Sequence, residues 1–217
     1  MLRAVRIERE HPASTTLPGG LSLASFARLV SLATHDLRTP LATVRGFAKT
    51  LERTASFEPP QDRYLELIDA ASLELSQLLD LLGLVARVES GRYETAPVET
   101  ETEELAQAVA AEVGDDRVAV RGSGTTASLD TTITRTALAG LVRCALRHGG
   151  LDQVELHVDG PRFAVAPVSE ELAPIMLGDE AKDLGAAVGT HVIRALGGSV
   201  EAAGATVVVA PALGSPT

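Results

Sequence analysis

Two long runs of apolar residues spaced by alternating threes and fours, separated by a pair of prolines, leave the N-terminal part of this chain few ways to fold. Phe26, Val30, Ala33, Leu37, Leu41, Val44, Phe47 and Leu51 form the first run, inside a helical pattern from about Leu21 to Arg53. Leu65, Ile68, Ser72, Leu75, Leu79, Leu82, Ala86 and Glu89 form the second, and Leu78, Leu81 and Val85 widen its apolar face. Pro59-Pro60 cannot sit inside a helix, so residues between the runs make the turn of an antiparallel hairpin. Gln61 and Asp62 open the second helix with an acid near its positive end, and Ser90-Gly91 closes it. Two such helices present more apolar surface than they can cover on each other. A second copy completing a four-helix bundle is the expected cover, and the C-terminal half of the chain is the alternative.

Beyond Arg92 the pattern changes. Tyr93 to Thr102 reads as acidic and irregular, with Glu99 to Glu104 a solvated helix start. Glu103–Val113 follows as an amphipathic helix, Val118–Val120 as a short strand and Gly122-Ser-Gly-Thr-Thr as a turn. Asp130 is placed to cap a helix over Thr131–His148. Val154, Leu156 and Val158, then Phe163 and Val165, alternate about Asp159-Gly160-Pro161 as a strand hairpin. A helix over Leu184–Leu196 stops at Gly197-Gly198, and Ser199–Pro211 holds a last hairpin. The expected architecture is therefore α+β: residues 1–20 a flexible tail, 21–91 a helical hairpin, and 92–217 an α/β sandwich of mostly antiparallel strands with helices on one face.

Composition removes several classes of function. A net charge of −10 with no basic stripe disfavours nucleic acid as the main partner. No stretch reaches the roughly 18 consecutive apolar residues of a membrane span, and the first residues lack a secretory signal pattern, so a cytoplasmic location is expected. The single cysteine, Cys144, precludes an intrachain disulfide and reads as a buried structural thiol. Aromatics contribute only 3% of residues, which leaves Ala, Leu and Val to fill the core. His148, His157 and His191 fall in separate elements and suggest no shared metal site, so no intrinsic metal is expected.

His35 lies off the apolar seam of the first helix, beside Asp36 and five residues before Pro40. A neutral imidazole is nucleophilic near pH 7, and a carboxylate on its other ring nitrogen fixes the tautomer and supports the charge that develops on attack. Pro40 removes an amide donor and is expected to bend the helix just below His35. The run His35-Asp36-Leu37-Arg38-Thr39-Pro40-Leu41 closely resembles the phosphoacceptor box of two-component sensor histidine kinases. The resemblance implies that His35 carries a phosphoryl group, that Asp36 orients it as a base, that Arg38 belongs to the same box, and that Thr39 helps place a water in phosphatase action. It also implies a homodimeric bundle.

The element order after residue 92 looks like the ATP-binding domain of the same kinases, but its motifs depart from the family. The family pattern Asn-Leu-Leu-x-Asn-Ala-x-Lys, which holds Mg²⁺ between phosphates, corresponds here to Gly140-Leu141-Val142-Arg143-Cys144-Ala145-Leu146-Arg147. Neither Gly140 nor Cys144 offers the hard cation an oxygen. Between Phe163 and Glu171 stands neither the aspartate that would read adenine nor a glycine. At the glycine positions of the last box stand Ala181, Asp183 and Gly185, and Asp183 would set a negative charge beside a triphosphate. Residues 170–182 are short for a lid over nucleotide. These departures imply a kinase-like domain that keeps the fold and has lost ATP.

The resulting expectation is a histidine phosphotransferase of a phosphorelay. His35 exchanges its phosphoryl group with response-regulator receiver domains, whose own acidic pocket supplies Mg²⁺, and no intrinsic cofactor is needed. Two alternatives stand beside it: a sensor histidine kinase, autophosphorylating or phosphorylated by a partner kinase, and a non-catalytic scaffold that binds a receiver or kinase. Arg38, Arg45, Lys49 and Arg53 line the helix below His35 either as solubilising charges or as a docking face for an acidic receiver.

Overall fold

The computed structural model describes residues 23–54 and 61–214. The expected tail and the Pro59-Pro60 turn lie outside them. Helix α1 spans Leu23–Thr54 and α2 spans Gln61–Glu89, giving the expected helical hairpin. The first helix runs through Pro40 without interruption.

The face by which the two helices meet differs from the apolar seam read in the sequence. Among the described side chains of α1, Ala27, Thr34 and Ala48 are buried, while Leu37, Val44, Phe47 and Leu51 are exposed, Phe47 at 67%. Leu65 and Ser72 are buried on α2, but Ile68 and Leu75 are exposed. Small side chains let the helix backbones approach, and ion pairs tie the contact across. Arg45 Nε donates to Asp69 Oδ1 at 2.9 Å, Lys49 Nζ lies 3.6 Å from Asp69 Oδ2, and Arg38 Nη2 donates to Asp80 Oδ1 at 2.7 Å. Three of the four cations expected as solubilising charges or as a docking face carry this further contact. Arg38, Arg45 and Lys49 act as cross-hairpin ties.

The C-terminal end of α2 turns the other way. Leu84 belongs to the core of the following domain, and Leu81, Val85 and Val88 pack against it, so the same chain covers that part of the stripe. Glu89 Oε1 lies 2.5 Å from His191 Nε2 across the junction. Gly91, at φ +64°, takes the left-handed conformation that ends the helix.

The remaining elements are β1 (Val98–Glu101), α3 (Thr102–Val113), β2 (Val118–Gly124), β3 (Thr126–Leu129), α4 (Thr131–His148), β4 (Val154–Gly160), β5 (Arg162–Ala166), α5 (Ala173–Met176), α6 (Leu184–Ala195), β6 (Ser199–Ala203) and β7 (Thr206–Ala210). Strands β2-β4-β5-β7-β6 form one sheet, parallel only between β2 and β4. Alternate residues Val154, Leu156, Val158, Phe163, Val165, Val207 and Val209 are buried, in one core with Val109 of α3, Leu138 and Leu141 of α4, and Val192 and Ile193 of α6.

Two segments expected to be irregular are strands. Val98–Glu101 pairs antiparallel with β3, Val98 opposite Leu129, so the acids Glu99 and Glu101 alternate along an edge strand. Gly122 continues β2 opposite Val158, where an added Cβ would lie 2.1 Å from the Val158 carbonyl oxygen. Glycine there serves a close backbone approach inside a sheet, and the sequence pattern of a turn looks the same. Asp130 caps α4 as expected, accepting from Ile133 N at 3.1 Å. It also accepts from Tyr93 Oη at 2.8 Å and Ala96 N at 3.1 Å, anchoring the linker after α2.

The hairpin ion pairs make an acid-sensitivity prediction. The Arg45 hydrogen bond holds the Asp69 carboxyl below its ordinary value of 3.8; burial opposes this, and the charges of Lys49 and Arg45 add to the lowering. A lowered folded pKa contributes stability that is complete above the unfolded value and is lost as pH falls through the folded one. Thermal unfolding is expected to find Asp69→Asn less stable than the native protein at pH 6, with the gap closing as pH falls below about 3.8. A gap of constant size across that range contradicts the pairing.

Candidate functional site

His35 stands on the outer face of α1, its side chain 80% exposed, with Nδ1 3.1 Å from Asp36 Oδ1. Thr34 beside it is buried, its hydroxyl satisfied by donation to the Val30 carbonyl of the same helix at 2.6 Å, and with Thr34 facing inward His35 faces out. With its proton on Nδ1 and shared with Asp36, the imidazole keeps the Nε2 lone pair free for attack on an electrophile arriving from solvent. Thr39, one turn along, is exposed and lies on the same side of the helix. Pro40 removes the amide that would otherwise bond to the Asp36 carbonyl. Arg38 is committed to Asp80. Of the sequence box, His35, Asp36 and Thr39 thus share the open helix surface, while Arg38 turns to α2.

The second set of candidates converges where α4 meets the start of α6. Gly140 and Gly185 touch: a Cβ on Gly140 would come 2.5 Å from the Gly185 carbonyl oxygen. One turn on, a Cβ on Gly189 would come 2.8 Å from the Ala137 Cα. The two helices therefore pack backbone to backbone. Asp183, 6% exposed, is the N-cap of α6, its Oδ1 accepting from Ala186 N at 2.9 Å. Its Oδ2 lies 3.2 Å from His148 Nε2 and 3.5 Å from Arg147 Nη1. Cys144 is fully buried, and burial, with the Asp183 charge adding and Arg147 opposing, pushes its thiol up to about 12. Ala181 is exposed on the turn before α6 and takes no part. Residues 170–182 are held to the core through Leu172, Ile175 and Met176, and the Met176 carbonyl accepts from Thr190 Oγ1 at 2.8 Å.

Residues 27–91 match the family model of the His Kinase A (phospho-acceptor) domain. The sensor histidine kinase TrcS of Mycobacterium tuberculosis is 33% identical over 93 residues, 42% of this chain and 18% of the relative. The histidine protein kinase DivJ of Caulobacter vibrioides is 33% identical over 100 residues, 43% of this chain and 17% of the relative. Residues 27–91 belong to the His Kinase A (phospho-acceptor) domain family, and the relatives matched are histidine kinases by name. The matched stretches span less than a fifth of those curated relatives. The crystal structure of full-length ShkA in complex with AMPPNP aligns with a TM-score of 0.60 at 20% identity, covering 87% of this chain and 47% of that one, and shows the shared fold.

Within this histidine kinase fold, the chain's own residues are a poor fit to a Mg²⁺-nucleotide. One of the amides at the N-terminus of α6, that of Ala186, is already bonded to the Asp183 carboxylate, whose charge also faces any anion arriving there. Gly140 presents only backbone, against another backbone, and Cys144 presents a buried thiol. Sequence reasoning missed His148 as the partner of Asp183. Its spacing of four from Cys144 on one helix was legible, but the loop that delivers Asp183 was not.

A substitution at the helix contact follows. Gly140→Ala forces a methyl into the Gly185 backbone, and overpacking of this kind costs about 1–3 kcal/mol. Gly140→Asn, which restores the residue type of the family motif, is expected to cost more. Urea unfolding measures both; native-like stability of Gly140→Asn contradicts the contact.

Proposed function

We propose that this histidine kinase homologue acts as a histidine phosphotransferase, with His35 the carrier and nucleotide binding lost. The observation that carries this reading is Asp183. It occupies the α6 N-terminus as an internal anion, bonded to Ala186 N and paired with His148, in the place where the family resemblance puts phosphates. A bound triphosphate would have to displace that cap and meet its charge at short range.

His35 supplies the chemistry that remains. Nε2 attacks the phosphorus of an aspartyl phosphate on a response-regulator receiver, the new P–N bond forms as the P–O bond breaks, and the receiver's aspartate leaves as a carboxylate. Asp36 holds the Nδ1 proton and offsets the positive charge that grows on the ring. Transfer to a second receiver reverses these events. Mg²⁺ in the receiver's acidic pocket neutralises the phosphoryl oxygens, so this chain needs no metal for the step. The exposure of the His35 and Asp36 side chains supports access by a partner domain.

In this reading the protein is a homodimer. Leu37, Val44, Phe47 and Leu51 on α1 and Ile68 and Leu75 on α2 leave a large apolar surface on the hairpin, and a second hairpin would cover it as a four-helix bundle. The sensor histidine kinase reading, with His35 phosphorylated from ATP, is favoured by the TrcS and DivJ relatives, both kinases by name.

Phosphohistidine formation separates the readings. The purified chain and His35→Ala are each incubated with Mg-ATP alone and with a phosphorylated receiver domain. Labelling from the receiver only, abolished by His35→Ala, is the expected result. Labelling from ATP alone overturns the phosphotransferase in favour of the kinase, and labelling from neither donor leaves a scaffold.

A further inference from the structure

Cys144 and His148 stand four residues apart on α4 and face the same way. The contact between Gly140 and Gly185 draws the start of α6 against that face, and Asp183 arrives with it. One donor atom from each of the three, the Cys144 sulfur, an imidazole nitrogen of His148 and a carboxylate oxygen of Asp183, lies within 4.8 Å of the other two. The separation of His148 Nε2 and Asp183 Oδ2 is 3.2 Å. Two ligands each about 2.0 Å from a tetrahedral zinc ion are about 3.3 Å apart, so this pair already has the spacing of one edge of such a site.

We infer that Cys144, His148 and Asp183 form a binding site for a transition-metal ion of the zinc class, with water as the fourth ligand. The donor set selects the ion. Sulfur, imidazole nitrogen and one carboxylate oxygen suit Zn²⁺ or Co²⁺, whereas Mg²⁺ and Ca²⁺ require several oxygens that the cluster lacks. The charges also close: a thiolate and a carboxylate neutralise a divalent ion in a place where an uncompensated charge is costly.

The surroundings fit the same role. Asp183 Oδ1 is oriented by the Ala186 amide at 2.9 Å, which leaves Oδ2 to the ion. The His148 side chain is 25% exposed, and a cleft of about 520 Å³ between α2 and α4 reaches Gly140, Arg147 and Asp183, giving a route from solvent. Arg147, whose side chain is 61% exposed and lies 3.5 Å from Asp183 Oδ2, gives up that contact and swings into water. On binding, the thiol loses its proton to solvent. The neutral imidazole carries its proton on Nδ1, and no electron changes hands. The ion pins α4 to α6 through the protein's own side chains. This site stands independently of the role given to His35.

The test uses the full chain, stripped with chelator and titrated with Co²⁺ while absorption is recorded, then with Zn²⁺ in competition. One equivalent per chain is expected, with the near-ultraviolet thiolate-to-cobalt band and the intense visible bands of a tetrahedral ion. Cys144→Ala removes the thiolate band. His148→Ala and Asp183→Asn, the second of which keeps a capping oxygen, weaken Zn²⁺ at least tenfold, and His157→Ala leaves it unchanged. Because His148 is partly exposed, its variant remains informative even if Cys144→Ala fails to fold. Absence of the thiolate band in the folded native protein, or equal Zn²⁺ affinity in His148→Ala, overturns the site and leaves a buried thiol beside an ordinary histidine–aspartate pair.

Discussion

The contact of Gly140 with Gly185 governs the C-terminal domain. At this point helices α4 and α6 meet backbone to backbone, a Cβ at Gly140 being 2.5 Å from a backbone oxygen. A core with so few aromatics reaches interior density by bringing backbones together. The approach fixes where α6 begins, and a helix beginning inside a protein must satisfy its first amides locally. Asp183 does so, and its charge is answered by His148 and Arg147 from α4. The same helix carries His191 to Glu89 and supports the apolar end of α2, so the hairpin inherits its seat from this packing.

The hairpin follows the opposite logic. Its internal contact uses Ala27, Thr34, Ala48, Leu65 and Ser72 with cross-helix ion pairs, and large apolar side chains such as Leu37, Val44, Phe47 and Leu51 remain on the outside. Surface pairs of this kind contribute little energy each. They set the rotation and height of α2 against α1, and with the buried Thr34 they keep His35 on the open side. In the phosphotransferase proposed above, a carrier histidine needs that exposure more than it needs a deep pocket, because the receiver would bring its own metal and anion site.

Much of this was legible in the sequence, for reasons that can be named. Helices α1, α2, α4 and α6 announced themselves by periodicity, by the Asp130 cap of α4, by the prolines after α1 and by the glycines after α2 and α6. The His35 box was complete as a string because its residues are neighbours on one helix. The rotation of α1 was not legible: the strongest apolar seam marks the surface a helix wants covered and cannot say by which neighbour. The strand β1 was hidden by its acids, and Gly122 looked like a turn because close backbone approach and chain reversal both select glycine. His148 and Asp183 meet only through tertiary packing, so neither spacing nor composition could join them.

The proposed loss of the nucleotide site is the claim on which the functional account turns, and it is tested most directly by calorimetric titration of the purified chain with Mg-ATP. The absence of saturable binding at millimolar nucleotide is the predicted result. Stoichiometric binding, with Asp183 and the α6 N-terminus accommodating the phosphates, would contradict it and return the chain to the ATP-dependent members of its family.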